Sequence, residues 1–355
     1  MNKKLMHSYY WMRENLFDSP LNTLLTLLAC GLMLWLIPPF FDWALWNASF
    51  TGDTKEACDG EGACWVFVKV FLPQFMYGFY PEEQRWRINL AIGILALLVF
   101  LLMRWRHEQK AKLSLAALVL YPVLAYGLFY GGYLGLPIVE TRLWGGLFLT
   151  LVVAISGIVG AFPLGVLLAL GRRSEMPVAR AVSTVFIELW RGVPLITVLF
   201  MASVMLPLFL PEGVNFDKLL RALFGIMLFA GAYMAEVVRG GLQSIPRGQY
   251  EAAQALGLSY WKQMGFIILP QALKNVIPGI VNTFIALFKD TTLVLIIGLF
   301  DLLGIIQATA TNASWLGHAI EGYVFAAFVF WVFCYSMSRY SQHIEMKLSA
   351  GKENN

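Results

Sequence analysis

The run from Ser19 to Phe41 carries no charged residue over 23 positions. No other kind of feature restricts the chain so strongly. Only a helix or a closed barrel satisfies its own backbone in lipid, and a helix needs about 20 mostly apolar residues to cross. Seven further stretches fit the helical pattern: Ile88–Met103, Leu113–Tyr130, Leu143–Leu170, Ala181–Leu210, Leu219–Val238, Val276–Phe300 and Gly322–Ser338. The expected fold is an all-α integral membrane protein with about eight transmembrane helices. Only 14% of the residues are charged, against about 25% in soluble domains.

The first run is too long for a signal peptide, whose apolar region is about 7–15 residues. LLAC at 27–30 resembles a lipoprotein cleavage site, but the apolar run continues past Cys30. Three stretches depart from the plain pattern. Ile88–Met103 is short, and Arg87 and Arg104 are expected to snorkel from its ends. Ala181–Leu210 holds Glu188 and Arg191 ahead of Pro194, and Val276–Phe300 holds Lys289 and Asp290 in its middle. The segment Leu302–Ile320 has a polar centre and reads as extramembrane or interfacial.

Charge then orients the set, because Lys and Arg collect on the cytoplasmic side. With the N-terminus inside, 17 of the 26 Lys and Arg fall in cytoplasmic segments, 7 fall outside and 2 lie within spans. Eight spans put both termini in the cytoplasm. The mild net charge of +4 needs no nucleic-acid partner. The outer loop 42–87 holds CDGEGAC. Cys58 and Cys64 are expected to form a disulfide, since such bonds persist in an oxidising periplasm; two free thiols are the alternative.

No Walker A motif, HExxH, Cys/His metal cluster or GxSxG elbow is present, so the chain offers no reacting centre, metal site or cofactor site of those kinds. What stands out is EAAQALGLSYWKQMGFIILP at 251–270, a polar segment between apolar spans. Glu-Ala-Ala-Gln-Ala-Leu favours helix. Gly257 fits the left-handed residue that ends a helix. Ser259 can cap a second helix, which Pro270 should limit. Physics leaves two readings: a compact cytoplasmic knob, or an amphipathic connector lying on the membrane.

The segment also matches in full the EAA motif of ABC importer permeases, through Glu251, Ala252, Ala253, Gly257, Ile267, Leu269 and Pro270. FIELWRGVPL at 186–195, AYMAEVVRGGLQSIPRGQ at 232–249 and NTFIALFKDTTL at 282–293 resemble the polar amino-acid branch of that family. The resemblance covers about residues 140–341. In size and layout, residues 1–130 resemble the extension of the larger permeases of general L-amino-acid importers. The resemblance implies a five-helix permease core at 131–341. Before it comes an accessory region, 1–130, with three spans. A cytoplasmic tail, 342–355, follows. It also implies that the loop 239–275 is a coupling loop docked on a separate ATPase, which holds the ATP and Mg. Further implied partners are a second permease subunit and a periplasmic amino-acid-binding protein. The place implied is the bacterial inner membrane.

Ionisable groups at membrane depth are costly and therefore candidates for function. Asn282, Ala286 and Lys289 lie at i, i+4 and i+7, so one helix face is partly polar. With Thr283 and Asp290 it could line a substrate path; a Lys289–Asp290 or inter-helix ion pair is the structural alternative. Glu188–Arg191 and Glu236–Arg239 are spaced to pair along helix ends. The expected function is transport of polar or general L-amino acids by a non-enzymatic permease subunit. A stand-alone secondary transporter or channel would explain the spans equally well, but not a complete EAA pattern.

Overall fold

The computed structural model describes residues 3–58, 60–104, 107–133, 135–209, 211 and 216–353. Arg106, the Leu210 end of the fifth expected span and the last two tail residues lie outside that set. Apolar periodicity becomes helix throughout, and the described residues contain no β-strand, only three isolated bridges. The α-helices are α1 (Lys3–Leu16), α2 (Pro20–Phe41), α3 (Trp65–Tyr77), α4 (Arg85–Arg104), α5 (His107–Tyr130), α6 (Gly146–Arg172), α7 (Pro177–Gly192), α8 (Leu195–Phe200), α9 (Lys218–Gln243), α10 (Arg247–Ala255), α11 (Tyr260–Gln263), α12 (Leu269–Asn275), α13 (Ile277–Asp290), α14 (Leu302–Ala310) and α15 (Ala319–Glu353).

All eight expected stretches are largely helical, but among the described residues the count of eight spans is not reached. Six helical segments are long and apolar enough to cross a membrane: Pro20–Trp46, Glu82–Leu102, Gly146–Arg172, Lys218–Gln243, Ile277–Ile297 and Ala319–Lys347. A seventh span results if α7 and the helical stretch Leu195–Phe209 count together, although they meet at 102°. The break falls at Pro194, a residue that interrupts a helix. Val193 is extended (φ −112°, ψ 134°), as the ring of a following proline demands. The remaining apolar helix, Ala116–Tyr130, is shorter.

The chain divides into two compact units. One comprises 1–71 with 310–322. Here α2 buries none of its side chains, and Leu34 and Trp35 are more than two-thirds exposed. A largely apolar, uncovered helix is what lipid accepts and water does not. The loop after α2 is ordered. Cys58 and Cys64 are joined as a disulfide, with Cα atoms 5.5 Å apart. The Cys64 amide donates to Glu321 Oε1 at 2.9 Å, and the Phe67 and Trp315 rings pack 5.7 Å apart.

The other unit, 72–309 with 323–355, holds two apolar clusters. In the first, Tyr80, Ile88, Ala91, Ala125 and Phe129 join Trp144, Phe148, Ile226 and Phe288. This packing is why α4 and α5 belong with the later helices. Arg87 does not snorkel as expected. It is completely buried and donates to the Pro137 carbonyl at 2.9 Å, because the 131–139 loop covers that end of α4. The second cluster brings Ala169, Ile187, Met234, Val238, Ile268, Ala272 and Ile280 together. Between α6 and α9 the approach is close. A Cβ on Gly165 would lie 2.6 Å from Met234 Cβ, and one on Gly231 would lie 2.7 Å from a Leu164 methyl. Small residues let membrane helices pack by backbone contact.

Candidate functional site

The 251–270 segment folds as a helix, a sharp turn and a return. Helix α10 carries Glu251, Ala252 and Ala253, and Gly257 follows it with φ +70°. The Leu258 amide donates to the Ala253 carbonyl at 3.2 Å, and the Gly257 amide to Gln254 at 2.9 Å. These two bonds form the Schellman closure, which needs a residue that tolerates the left-handed region. A Cβ on Gly257 would meet nothing within 4 Å, so its constraint is backbone conformation alone.

Three details add to or differ from the expected helix, turn and return. Glu251 and Ala252 are exposed, but Ala253 is buried, because neighbouring helical residues point about 100° apart. Ser259 occupies the N-cap position of α11 without a side-chain capping bond. Pro270 does not stop the return helix. The π-turn Met264–Ile268 hands over directly to α12, with Pro270 in its first turn. The missing proline N–H has no intrahelical role there.

The segment has a packed root and a bare tip. At the root, Gln263 donates to the Tyr250 carbonyl at 3.2 Å, and Asn275 to Ser244 Oγ at 2.9 Å. Its tip leaves Leu256 75%, Trp261 68% and Phe266 79% exposed.

Beside the root lies a charged cluster that sequence spacing only partly described. Arg239 pairs with Glu236 at 2.8 Å as expected. Glu188 does not use Arg191. It pairs with Arg172 at 2.8 Å, and Arg172 also reaches Glu236 at 2.5 Å. The cluster therefore ties α6, α7 and α9. Arg191 instead stacks on Tyr233, 5.6 Å from the ring centroid. Because α7 lies against both α6 and α9, the inter-helix carboxylate–guanidinium geometry wins over the i, i+3 spacing.

On α13, Asn282, Ala286 and Lys289 share an exposed stripe, while Ile280, Leu287 and Phe288 turn inward. Thr283 bonds back to the Gly279 carbonyl at 2.9 Å. Lys289 and Asp290 form no ion pair within 4 Å with each other or with any other described residue.

Sequence reading missed one site. Helix α9 is about 39 Å long at 1.5 Å per residue. At its end far from the knob, a cavity of about 540 Å³ is lined by polar and charged residues that include Glu140, Thr141, Arg142, Asp217, Lys218 and Arg221. The local signal was Asp217-Lys218 with Arg221 one turn later, at the mouth of a span. Among the described residues, no three His, Cys, Asp or Glu side chains gather as a metal site.

Comparison with known proteins accounts for this layout. Residues 161–350 match the family described as "binding-protein-dependent transport system inner membrane component". The chain is 57% identical to the inner membrane amino-acid ABC transporter permease protein YhdY of Escherichia coli K12, over 96% of this chain and 93% of that one. It is 40% identical to the glutamate/glutamine/aspartate/asparagine transport system permease protein BztC of Rhodobacter capsulatus, over 95% and 93%. A solved structure titled as an amino acid ABC transporter with histidines superposes with a TM-score of 0.51 at 28% identity, covering 57% of this chain and 92% of that one. The chain therefore belongs to the binding-protein-dependent transport system inner membrane components, and is a membrane permease subunit rather than an enzyme.

Proposed function

We propose that this chain is the permease subunit through which an ABC importer moves polar L-amino acids across the bacterial inner membrane. The observation that carries the reading is the knob, whose apolar tip stands free while its root is locked into the α6–α9 cluster. A bare Leu256, Trp261 and Phe266 on a rigid base is a docking surface. The occupant is a separate ATPase, which would hold the ATP and Mg. In this reading Glu251, Ala252 and Gly257 shape the docking face, and Ala253 anchors it from beneath.

The remaining parts take their places around that contact. The knob and both termini face the cytoplasm, in line with the Lys and Arg bias. The α13 stripe of Asn282, Ala286 and Lys289, with Thr283 and Asp290, lines the path beside a second, non-identical permease. A periplasmic binding protein delivers the cargo. The names of the two full-length relatives support an amino acid as that cargo. Residues 131–341 act as the permease core and 1–130 as an accessory region. Both full-length relatives cover the whole layout, whereas the solved transporter matches 57% of the chain.

Reconstitution tests the assignment. Proteoliposomes holding this chain, its partner permease and the ATPase should take up L-amino acids only with ATP and a loaded binding protein. Uptake by this chain alone, driven by an ion gradient, would replace the importer with a secondary transporter.

A further inference from the structure

The cavity at the Lys218 end of α9 has no part in the docking reading. Its electrostatics are uneven. Glu140 is committed to Arg142 at 2.6 Å. Asp217 accepts from the Leu220 amide at 3.1 Å and from the Thr141 hydroxyl. Both acids therefore have partners. The cations Lys218 and Arg221 do not share that security. Arg221 is only 8% exposed, its one described hydrogen bond is to the Ser203 carbonyl at 2.8 Å, and its Nε has no partner. Lys218 is exposed and has no carboxylate within 4 Å among the described residues.

A buried guanidinium without an anion is costly. Its planar fork suits a carboxylate held by two hydrogen bonds. The cavity volume of about 540 Å³ falls within the range of small-molecule sites. Its position also fits a route. The helical turns Thr291–Ile297 continue α13 outward from Lys289 and Asp290 and end at Gly298, which lines the cavity. A Cβ on Gly298 would sit 3.6 Å from Lys218 Nζ.

We propose that this cavity is an outer capture site for the carboxylate of an α-amino acid, with Arg221 as the buried fork and Lys218 as the exposed guide. The proposal rests on the amino-acid permease reading and adds a second station to it, ahead of the α13 stripe. With Glu140 and Arg142 paired, Lys218 and Arg221 outnumber Asp217, the one lining carboxylate without a described ion pair, and this surplus positive charge favours acidic and neutral amino acids over cationic ones. The ligand group recognised is the carboxylate, so an amine lacking one should not compete.

The experiment measures equilibrium binding of radiolabelled L-glutamate to the complete transporter in lipid nanodiscs, without ATP or binding protein. Lys218→Gln and Arg221→Lys should each weaken binding about tenfold, and unlabelled L-glutamine should compete while ethylamine should not. Unchanged affinity in both variants overturns the site, as does equal competition by ethylamine or no binding of L-glutamate to the wild type. If the Arg221→Lys complex fails to assemble, Lys218→Gln decides alone, since its side chain is exposed. Failure of the permease reading is distinguishable. In that case the wild-type transporter takes up no L-amino acid in proteoliposomes with ATP and binding protein, whatever the binding result.

Discussion

The two ends of α9 treat charge in opposite ways. At the knob end, Arg172, Glu188, Glu236 and Arg239 satisfy one another across three helices. At the far end, Glu140 and Asp217 are engaged while Lys218 and Arg221 lack anions. One end is closed electrostatically and the other is left open to a ligand. A single helix can thus carry a self-contained fastening at one end and two cations without carboxylate partners at the other, because its ends are about 39 Å apart and the Coulomb energy falls with distance.

Changes at the two ends should separate accordingly. The largest effect is expected at the knob. Gly257→Val forces a β-branched residue into the left-handed region, yet finds open space. Membrane assembly should survive while ATP-driven uptake is lost, read as ATPase activity that no longer responds to the binding protein. Normal uptake would remove Gly257 from coupling.

Next comes the buried carboxylate near the far end. Asp301 is fully buried, its Oδ1 accepts from the Gly304 amide at 2.9 Å, and burial pushes its carboxyl up from 3.8 to about 6. The folded state therefore holds the proton more tightly than the unfolded chain between those values. Stability should be greatest below about pH 4 from this group and fall by about 2–3 kcal/mol as pH rises through 6. Asp301→Asn keeps an N-capping residue and should flatten that slope in thermal unfolding between pH 4 and 7. An unchanged slope would show that another group titrates.

At the closed end, Glu236→Gln strips two guanidinium partners from a side chain only 18% exposed. It should cost about 2 kcal/mol, seen as a lower unfolding midpoint. Glu188→Gln is the smallest change. Its side chain is 56% exposed, so the loss should be about 0.5 kcal/mol or less. A loss at Glu188 equal to that at Glu236 would mean that the cluster acts as one unit.

Local information carried much of this. The helices follow from apolar runs, the 102° break from Pro194, and the knob from an alanine-rich turn closed by Gly257. Each depends on residues within a few positions of one another. The resemblance to the EAA motif added the use proposed for the knob. What the sequence hid depends on distant residues meeting. Arg172 and Glu188 are 16 positions apart, and that contact displaced the expected Glu188–Arg191 pair, while Arg172 and Glu236 meet across 64 positions. The cavity draws Glu140, Lys218 and Leu299 from three separate stretches, and no periodicity joins them. Arg87 looked like a snorkelling end residue because nothing local announces the 131–139 loop that covers it.

The Arg172 guanidinium serves two acids at once. Glu236 holds it at 2.5 Å from α9 and Glu188 at 2.8 Å from α7. If α7 swings away, Arg172 keeps one neutralising neighbour and the more exposed Glu188 turns to water. The charge left unattended is then the one that water can solvate. A displacement of α7 would therefore leave no buried ion without a partner at this joint.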